Sequence, residues 1–418
     1  MGTGLMTDRY ELTMLASFLA DGSAHLPAVY ECFSRRLPRG RRYGVVAGLG
    51  RLLDDLQDFT FADDDLGFLT DTGAVTPQCA DYLRGFSLRG VTIDAYREGE
   101  LYFPGSPVLT VSGTLGQGVV LETLVLSVLN HDSAIASAAA RMSHAAGTRP
   151  LIEMGSRRTH EEAAVAAARA AYLSGFTSTS NLLAGKRYGI PTVGTAAHAF
   201  TLAHATEKDA FASQVAALGV GTTLLVDTYD IAQGIRNAIE VAGPSLGAIR
   251  IDSGDLDEES RKARALLDSL GATSTRIVVT SDLDEYVITA LQDAPIDGYG
   301  VGTRLVTGSG HPTAGFVYKL VEVDGRPVAK ASPGKLSVGG RKHAARLVEH
   351  GLATREALSH REIPPGRPLQ VAVVEDGVVT HDPSLDEIRA HHLAARAELP
   401  PEALAVTDGT PALEGVMA

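Results

Sequence analysis

The central part of the chain repeats one pattern, a short apolar run that ends in polar, reactive side chains. In the clearest case the strand-like run 248–251, apolar except for Arg250, stops at Asp252-Ser253-Gly254-Asp255. Seven segments share this design, separated by stretches long enough for a helix: 151–158, 176–181, 190–198, 222–228, 248–255, 276–282 and 298–303. Alternating strands and helices predict a parallel sheet, whose carboxyl ends carry ligands. The pattern therefore predicts an α/β fold, an irregular TIM-like barrel, with its site at one rim.

The flanking regions have a different pattern and predict a second, discontinuous α/β domain. Residues 5–20 have apolar side chains at helical spacing, and short strand-like segments follow between residues 28 and 111. The stretch from Leu121 to Met142 contains no helix breaker and predicts a long helix that leads out of this domain. Strand-like alternation returns from Val317. We therefore expect an N-terminal α+β domain over 1–120, completed by about 320–418, and a barrel domain over 121–319.

Composition and charge exclude several classes of function. The 418 residues carry a formal net charge of −13, which argues against general affinity for nucleic acids or acidic membrane surfaces. No apolar run reaches the ~18 residues of a membrane span, and no secretory signal is visible. The two cysteines, Cys32 and Cys79, are too few for a disulfide scaffold or a zinc cluster. We expect a cytoplasmic protein that binds neither nucleic acid nor membrane.

The acidic turn Asp252-Ser253-Gly254-Asp255 is the first candidate for substrate chemistry. Two carboxylates so close in sequence suit a magnesium ion or the hydroxyl groups of a sugar. Arg250, on the preceding strand, would lie beside Asp252 or opposite it. The alternative is an Asx-type turn that only caps the next helix.

Two further strand ends are candidates for a phosphate site. Gly300, Gly302 and Thr303 follow a late apolar strand, where small residues let a phosphate approach backbone N–H groups. Ser281 and Asp282 end the preceding strand and can share the same phosphate. Neither segment matches a dinucleotide-binding fingerprint or a Walker loop. A turn without a ligand is the alternative.

Basic and titratable side chains complete the predicted rim. Arg157 and Arg158 follow a strand, and their planar guanidinium groups suit a phosphate or a carboxylate, although a surface ion pair is the alternative. His198 is predicted to end the third strand, where its imidazole could act as a general base, a proton donor or a nucleophile that carries a phosphoryl group. No cysteine or second histidine stands at metal-ligand spacing from His198, which argues against zinc.

Eight sequence blocks, in order, resemble the nicotinate phosphoribosyltransferase family over essentially residues 5–345. The blocks are LMTDRYELTM, EMGSRR, STSNLLAGKRYGIP, GTAAHAF, LLVDTYD, IRIDSGDL, SDLDE and GVGTRLVTG. The resemblance implies an irregular α/β barrel with a discontinuous second domain, in a homodimer whose active sites are shared between subunits. It also implies the reaction. Nicotinate and 5-phosphoribosyl 1-diphosphate give nicotinate mononucleotide and diphosphate with Mg²⁺, coupled to ATP hydrolysis, in the salvage branch of NAD biosynthesis.

The resemblance also implies roles for single residues. His198 resembles the family's phosphorylated histidine, and Tyr10 resembles the tyrosine that stacks on the pyridine ring from the partner subunit. In relatives that use nicotinamide an aspartate stands where Ser180 aligns. An acid there would repel the carboxylate of nicotinate, so Ser180 favours the acid substrate.

We accordingly expect three catalytic residues: His198, Arg250 and Asp252. Asp252 and Asp255 are also the expected contacts of magnesium and ribose. The expected substrate-binding residues are Tyr10, Met154, Arg157, Arg158, Ser180, Thr195, Ser253, Gly254, Asp255, Ser281, Asp282, Gly300, Gly302 and Thr303.

Two departures from the family pattern keep other functions open. Ala199 replaces the serine that usually follows the histidine, and Met154 stands where an aromatic residue is common. One alternative is the same fold acting on nicotinamide or quinolinate. A phosphate-binding lyase or isomerase, with Lys186 or Lys319 as its Schiff-base residue, is another. A nucleotide sensor without turnover is the third.

Overall fold

The computed structural model describes residues 2–330 and 338–417. The chain divides into two compact units. Unit 1 consists of Met1–Ser137 and Thr313–Ala418, and unit 2 of Ala138–Pro312. The border at residue 137 falls inside a long helix, Glu122–Ala146, in the region where the sequence predicts one.

Both units mix helices and strands, which confirms the predicted α/β class. The strands are β1 (Pro27–Ser34), β2 (Gly44–Val45), β3 (Thr92–Tyr96), β4 (Leu101–Tyr102), β5 (Pro107–Thr114), β6 (Leu151–Glu153), β7 (Ser178–Thr179), β8 (Thr223–Leu225), β9 (Ala248–Ile251), β10 (Arg276–Val279), β11 (Gly298–Val301), β12 (Phe316–Val323), β13 (Arg326–Pro327), β14 (His343–Glu349), β15 (Leu352–Ser359), β16 (Arg367–Pro368), β17 (Gln370–Glu375), β18 (Val378–Val379) and β19 (Gly415–Met417).

The helices are distributed over the whole chain. They are α1 (Arg9–Ala20), α2 (Leu49–Gln57), α3 (Asp63–Asp71), α4 (Pro77–Arg84), α5 (Leu115–Val119), α6 (Glu122–Ala146), α7 (Glu161–Leu173), α8 (Leu182–Tyr188), α9 (His198–Leu202), α10 (Glu207–Leu218), α11 (Ile231–Ala242), α12 (Leu256–Ser269), α13 (Glu285–Ala290), α14 (Thr303–Val306), α15 (Leu385–Ala397) and α16 (Pro401–Leu404). None of these helices of the described residues is both long and apolar enough to cross a membrane.

Unit 1 is built on a seven-stranded antiparallel sheet. Its strand order is β13-β12-β1-β5-β3-β17-β18, so the C-terminal strand β17 pairs with the N-terminal strand β3. The apolar stripe of α1 buries Leu12 and Leu15 in the core beneath this sheet, as the spacing predicts. Leu52 of α2, Phe316 of β12 and Val373 of β17 join the same core. The core therefore contains residues from both sequence segments of the unit.

A buried ionic cluster links the C-terminal strands of unit 1 to its N-terminal part. The Arg346 side chain is 0% exposed, and its Nη2 donates to Glu356 Oε2 at 3.0 Å and to the carbonyl oxygen of Leu101 at 2.9 Å. Tyr96 donates its hydroxyl to Glu356 Oε1 at 2.8 Å. Burial raises the pKa of Glu356, and Arg346 opposes this shift. Each charge in the cluster is therefore stabilised by its partner rather than by water.

We predict that Arg346→Met lowers the free energy of unfolding of unit 1 by about 3–5 kcal/mol, because it leaves the Glu356 carboxylate buried without its cation. The double variant Arg346→Met/Glu356→Gln should lose less, since both charges are removed. Thermal or urea unfolding measures both. The control is Arg84→Met, which removes an ion pair with Asp81 whose arginine is 54% exposed and should cost at most about 1 kcal/mol. Equal losses in Arg346→Met and Arg84→Met would contradict the stabilising role of the cluster.

Unit 2 is built on a six-stranded parallel sheet, as the strand and helix alternation predicts. Its strand order is β7-β6-β11-β10-β9-β8, and every neighbouring pair is parallel. Its core is apolar, and Ile249 and Ile251 of β9 and Ile277 and Val279 of β10 have no exposed surface. Because all six strands run the same way, their carboxyl ends lie along one edge.

The predicted strand over residues 190–198 is wrong. In the described chain this segment has a single bridge between Thr179 and Thr192 and is otherwise irregular. Pro191 has no N–H to donate to a ladder, and residues 191–194 are exposed, unlike the buried strands. His198 therefore begins α9 instead of ending a strand.

Candidate active site

A cavity of about 230 Å³ opens at the carboxyl edge of the parallel sheet in unit 2. Its lining residues come from the ends of four strands: Met154, Arg157, Arg158, Arg250, Asp252, Thr280, Ser281, Asp282, Gly300, Gly302 and Thr303. All of them except Thr280 belong to the set predicted from sequence. Three arginines face two aspartates in this lining, although the whole chain is acidic. The cavity is therefore suited to an anionic ligand.

Arg250 and Asp252 form the centre of the hydrogen-bond network in this cavity. Arg250 Nη2 lies 3.3 Å from Asp252 Oδ2. Arg250 Nε donates to Thr280 Oγ1 at 2.9 Å, and Nη1 donates to Thr195 Oγ1 at 2.8 Å. The Thr280 hydroxyl donates in turn to Asp252 Oδ1. Arg250 thus lies beside Asp252 rather than opposite it, and Thr195 is held by the network although it does not line the cavity.

His198 reaches the same network from the first turn of α9. Its Nδ1 lies 3.1 Å from Thr228 Oγ1, and its Nε2 lies 3.9 Å from Asp252 Oδ2. When Nδ1 carries the proton and donates it to Thr228, the lone pair of Nε2 is free on the side of Asp252. The imidazole is partly exposed, so an incoming substrate can reach it.

Asp227 is a residue of the site that the sequence analysis did not select. Its Oδ2 accepts from the backbone N–H of Asp252 at 2.8 Å and from Ser253 Oγ at 2.7 Å. Its buried Oδ1 has no hydrogen-bond partner among the described residues. The available signal was the acid directly after an apolar strand, the same signal that identified Asp252. Ser253 is therefore directed toward Asp227, outside the lining of the cavity.

The backbone is strained or crowded where a phosphate is expected. Ser281 has a φ of +105°, a region that side chains rarely adopt and that costs roughly 1–3 kcal/mol. A Cβ atom at Gly300 would lie 2.6 Å from Thr280 Cγ2 and 2.7 Å from Met154 Sδ. Only glycine therefore fits at position 300, and Gly302 precedes the short helix α14.

Buried Glu153 connects the two turns that carry Met154 and Ser180. Its carboxylate accepts from the N–H of Gly155 and from the hydroxyl of Thr179, and its backbone oxygen accepts from the N–H of Ser180 at 2.8 Å. Burial raises the pKa of Glu153. Ser180 lies outside the cavity lining, whereas Arg157 and Arg158 line it and are exposed.

The second acid of the predicted turn has a local structural role. Asp255 is the N-cap of α12, and its Oδ1 accepts from the N–H groups of Asp257 and Glu258 at 3.1 Å. Gly254 has a φ of +84°, which favours glycine and directs the chain into this cap. Asp255 and Gly254 do not line the cavity. The capping alternative describes Asp255 in this structure.

Tyr10 belongs to unit 1, at the start of α1, and the residue is 46% exposed. Partial burial raises the pKa of its hydroxyl most, and the nearby carboxylates of Glu122 and Glu11 raise it further. The phenol therefore stays protonated, and the ring presents an exposed aromatic surface. None of the described residues that line the cavity of unit 2 is aromatic.

A second cavity, of about 500 Å³, lies within unit 1. It is lined by the aromatic rings of Tyr82 and Phe86 and by Arg89, among others. The described residues around it include none of the predicted set. Although this cavity is larger, the described residues that line it include one arginine and no aspartate.

A parallel sheet with arginines, aspartates and glycine turns at its carboxyl edge is typical of α/β enzymes that act on phosphorylated substrates. Residues 5–130 match the nicotinate phosphoribosyltransferase N-terminal domain, and residues 150–354 match the nicotinate phosphoribosyltransferase family. The chain belongs to the nicotinate phosphoribosyltransferase family, which confirms the resemblance noted in the sequence.

Individual relatives agree with this assignment. The chain is 57% identical to nicotinate phosphoribosyltransferase pncB1 of Mycobacterium tuberculosis, over 98% of this chain and 94% of the relative. It is 41% identical to nicotinate phosphoribosyltransferase of Bacillus subtilis, over 82% and 73%. Among solved structures, human nicotinic acid phosphoribosyltransferase is similar with a TM-score of 0.85 and 27% identity, over 99% of this chain and 97% of that one.

We predict that Gly300→Ala destabilises unit 2 by about 1–3 kcal/mol, because the new methyl group overlaps Thr280 Cγ2 and Met154 Sδ. Adding Thr280→Ser removes the contacted methyl group and should restore part of the loss. The control is Gly221→Ala, where an added Cβ meets nothing within 4 Å. Thermal unfolding measures all three variants. A Gly300→Ala protein as stable as Gly221→Ala would show that the added methyl group does not clash with Thr280 and Met154.

Proposed function

We propose that this protein transfers the phosphoribosyl group of 5-phosphoribosyl 1-diphosphate to the ring nitrogen of nicotinate, giving nicotinate mononucleotide and diphosphate for NAD biosynthesis. One observation carries the proposal. In a member of this family, the Arg250 and Asp252 pair lies in one cavity with a glycine turn suited to a phosphate. The relatives named above carry the same activity in their names.

The proposed mechanism needs no protein nucleophile at carbon. The pyridine nitrogen attacks the anomeric carbon, the bond to diphosphate breaks, and its electron pair leaves with the diphosphate. Positive charge develops on the ribose, where the carboxylate of Asp252 stabilises it. Arg250 and Arg157 attract the departing diphosphate or the nicotinate carboxylate, and the segment from Gly300, at the end of β11, to Thr303 holds the 5-phosphate together with Ser281.

Magnesium enters this proposal as part of the substrate. The described residues contain no group of three or more His, Cys, Asp or Glu side chains that could hold a metal ion. Mg²⁺ is commonly bound by one or two carboxylates together with substrate phosphates and water, and that donor set suits a cavity with Asp252 at its centre. Asp255 is a weaker ligand candidate, because its carboxylate already caps α12.

We propose further that His198 couples the reaction to ATP. The Nε2 atom attacks the γ-phosphorus of ATP, ADP leaves with the bond electrons, and hydrolysis of the phosphohistidine returns the free imidazole. The contact between Nδ1 and Thr228 supports this role, since the Nε2 lone pair is free whenever Nδ1 is the donor in that hydrogen bond. Ala199, beside His198, has no hydroxyl that could form a hydrogen bond with the imidazole or with a phosphate.

The family resemblance also leads us to propose a homodimer in which Tyr10 of one subunit covers the nicotinate ring bound by the other. Two observations support it. The described lining of the cavity has no aromatic residue, and Tyr10 is exposed together with its neighbours Leu5 and Met6. The irregular barrel also stays a proposal, for which the bridge from Thr179 to Thr192 beyond the edge strand β7 is the support.

We predict that the purified protein forms mononucleotide from 5-phosphoribosyl 1-diphosphate, Mg²⁺ and nicotinate, but not from nicotinamide or quinolinate. Chromatographic detection of product tests this with each base. Asp252→Asn should lower kcat/KM at least about 100-fold, through loss of the carboxylate that stabilises the developing charge. The matched control Asp257→Asn removes a carboxylate that pairs with Arg261 on the surface of α12 and should leave activity unchanged. Product from nicotinamide or quinolinate, or from none of the bases, would contradict the proposed substrate.

We predict that His198→Ala abolishes the stimulation of the reaction by ATP and leaves slow, uncoupled synthesis. The readout is the ratio of initial rates with and without ATP. His204→Ala is the control, since His204 lies just beyond the same helix and its Nδ1 is 2.7 Å from the carbonyl oxygen of Phe200. Stimulation of His198→Ala to the wild-type level would rule out the phosphohistidine.

A further inference from the structure

Thr280 is the one residue in the cavity lining that the sequence analysis did not select, and its hydroxyl lies between the two central charges. It donates to Asp252 Oδ1 and accepts from Arg250 Nε at 2.9 Å. A hydroxyl has one proton and two lone pairs, so these two bonds fix the direction of the proton. Both partners are ionised, which makes both bonds of the strong, charge-assisted kind.

The position of Thr280 follows from the register of the sheet. β9 and β10 are parallel, and Arg250 lies opposite Val278 and Ile251 opposite Val279. The backbone N–H of Thr280 donates to the carbonyl oxygen of Ile251 at 3.0 Å, which brings Thr280 beside Asp252. The residue is only 4% exposed. Its hydroxyl is therefore held by the sheet itself and not by a flexible loop.

Space for the Thr280 side chain is provided by the neighbouring strand. A Cβ at Gly300 of β11 would come within 2.6 Å of Thr280 Cγ2, so the methyl group packs directly over this glycine. A β-branched side chain has few rotamers, and this contact restricts it further. The methyl group fills the space above Gly300, and the hydroxyl orients the two charged groups.

The bond to Asp252 Oδ1 leaves the other carboxylate oxygen available. Oδ2 lies 3.3 Å from Arg250 Nη2 and 3.9 Å from His198 Nε2. Without the Thr280 hydroxyl the carboxylate could rotate, and Arg250 Nε would lose its acceptor. The side chains of Arg250 and Asp252 would then have to take up their relative orientation when the substrate binds.

We propose that Thr280 is a positioning residue for phosphoribosyl transfer, which holds Arg250 and Asp252 in the arrangement that binds the ribose and diphosphate of the substrate. The inference rests on the proposed function. Thr280 does not itself need to touch the reacting atoms. It acts through the orientation of Asp252, which makes the hydroxyl group, and not the size of the side chain, the important feature.

The experiment compares Thr280→Val, which keeps the shape and removes the hydroxyl, with Thr280→Ser, which keeps the hydroxyl. Thr275→Val is the matched control. Thr275 is also buried, directly precedes β10, and has a hydroxyl without a hydrogen-bond partner among the described residues. Initial rates are measured with each substrate varied in turn, and binding of 5-phosphoribosyl 1-diphosphate with Mg²⁺ is measured by calorimetry.

We expect Thr280→Val to lower kcat/KM for 5-phosphoribosyl 1-diphosphate roughly 10- to 100-fold and to weaken its binding, with KM for nicotinate within about twofold of wild type. Thr280→Ser should recover most of the loss, and Thr275→Val should behave as wild type. A Thr280→Val protein with wild-type kinetics and binding overturns the inference. Equal losses in Thr280→Val and Thr280→Ser also overturn it, because shape would then be the cause.

The proposed function can fail separately from this inference. If wild type forms no mononucleotide but binds 5-phosphoribosyl 1-diphosphate, the proposed function is wrong and calorimetry decides the role of Thr280. Weaker binding by Thr280→Val alone then supports the inference, and equal binding by all variants overturns it. If wild type does not bind 5-phosphoribosyl 1-diphosphate, both are wrong.

Discussion

The ion pair between Arg250 and Asp252 is the interaction on which the candidate site depends. The two residues are two positions apart at the end of one strand, so their side chains project to the same face. Loss of either partner would leave the other charge in a partly buried position without compensation. Thr195 and Thr280 hold the arginine from two sides, and Asp227 holds the backbone of Asp252. The site is therefore a network of fixed charges that exists before any substrate arrives.

Two features at the edge of the sheet are energetically unfavourable, and burial of the apolar core compensates for them. Asp227 Oδ1 is buried without a hydrogen-bond partner among the described residues, and Ser281 has an unfavourable backbone conformation. Such features each cost roughly 1–3 kcal/mol and are found where function requires them. Beneath them, the apolar side chains of Ile249 and Ile251 in β9 and of Ile277 and Val279 in β10 have no exposed surface. A stable parallel core thus allows a polar and partly strained rim.

The sequence predicted the elements of unit 2 better than the contacts between them. Six of the seven predicted segments contain a strand of the parallel sheet. The seventh segment meets the sheet only through the bridge from Thr192 to Thr179 and is otherwise irregular, and His198 lies on a helix. Thr280 and Asp227 were visible only as polar residues after strands. Their hydrogen bonds to Arg250 and Asp252 depend on the register between segments about 25–30 residues apart. The spacing of apolar residues within one segment does not predict that register. The sequence left open whether Asp255 binds a ligand or caps a helix. Its hydrogen bonds with the N–H groups of Asp257 and Glu258 identify it as a helix cap.

The most direct test of the proposed site is the crystallographic location of bound 5-phosphoribosyl 1-diphosphate with Mg²⁺. We expect the ribose hydroxyl groups within hydrogen-bond distance of Asp252, the 5-phosphate against Gly302 and Thr303, and the diphosphate beside Arg250. Density for the ligand in the larger cavity beside Tyr82 of unit 1, or a ribose turned away from Asp252, would contradict it.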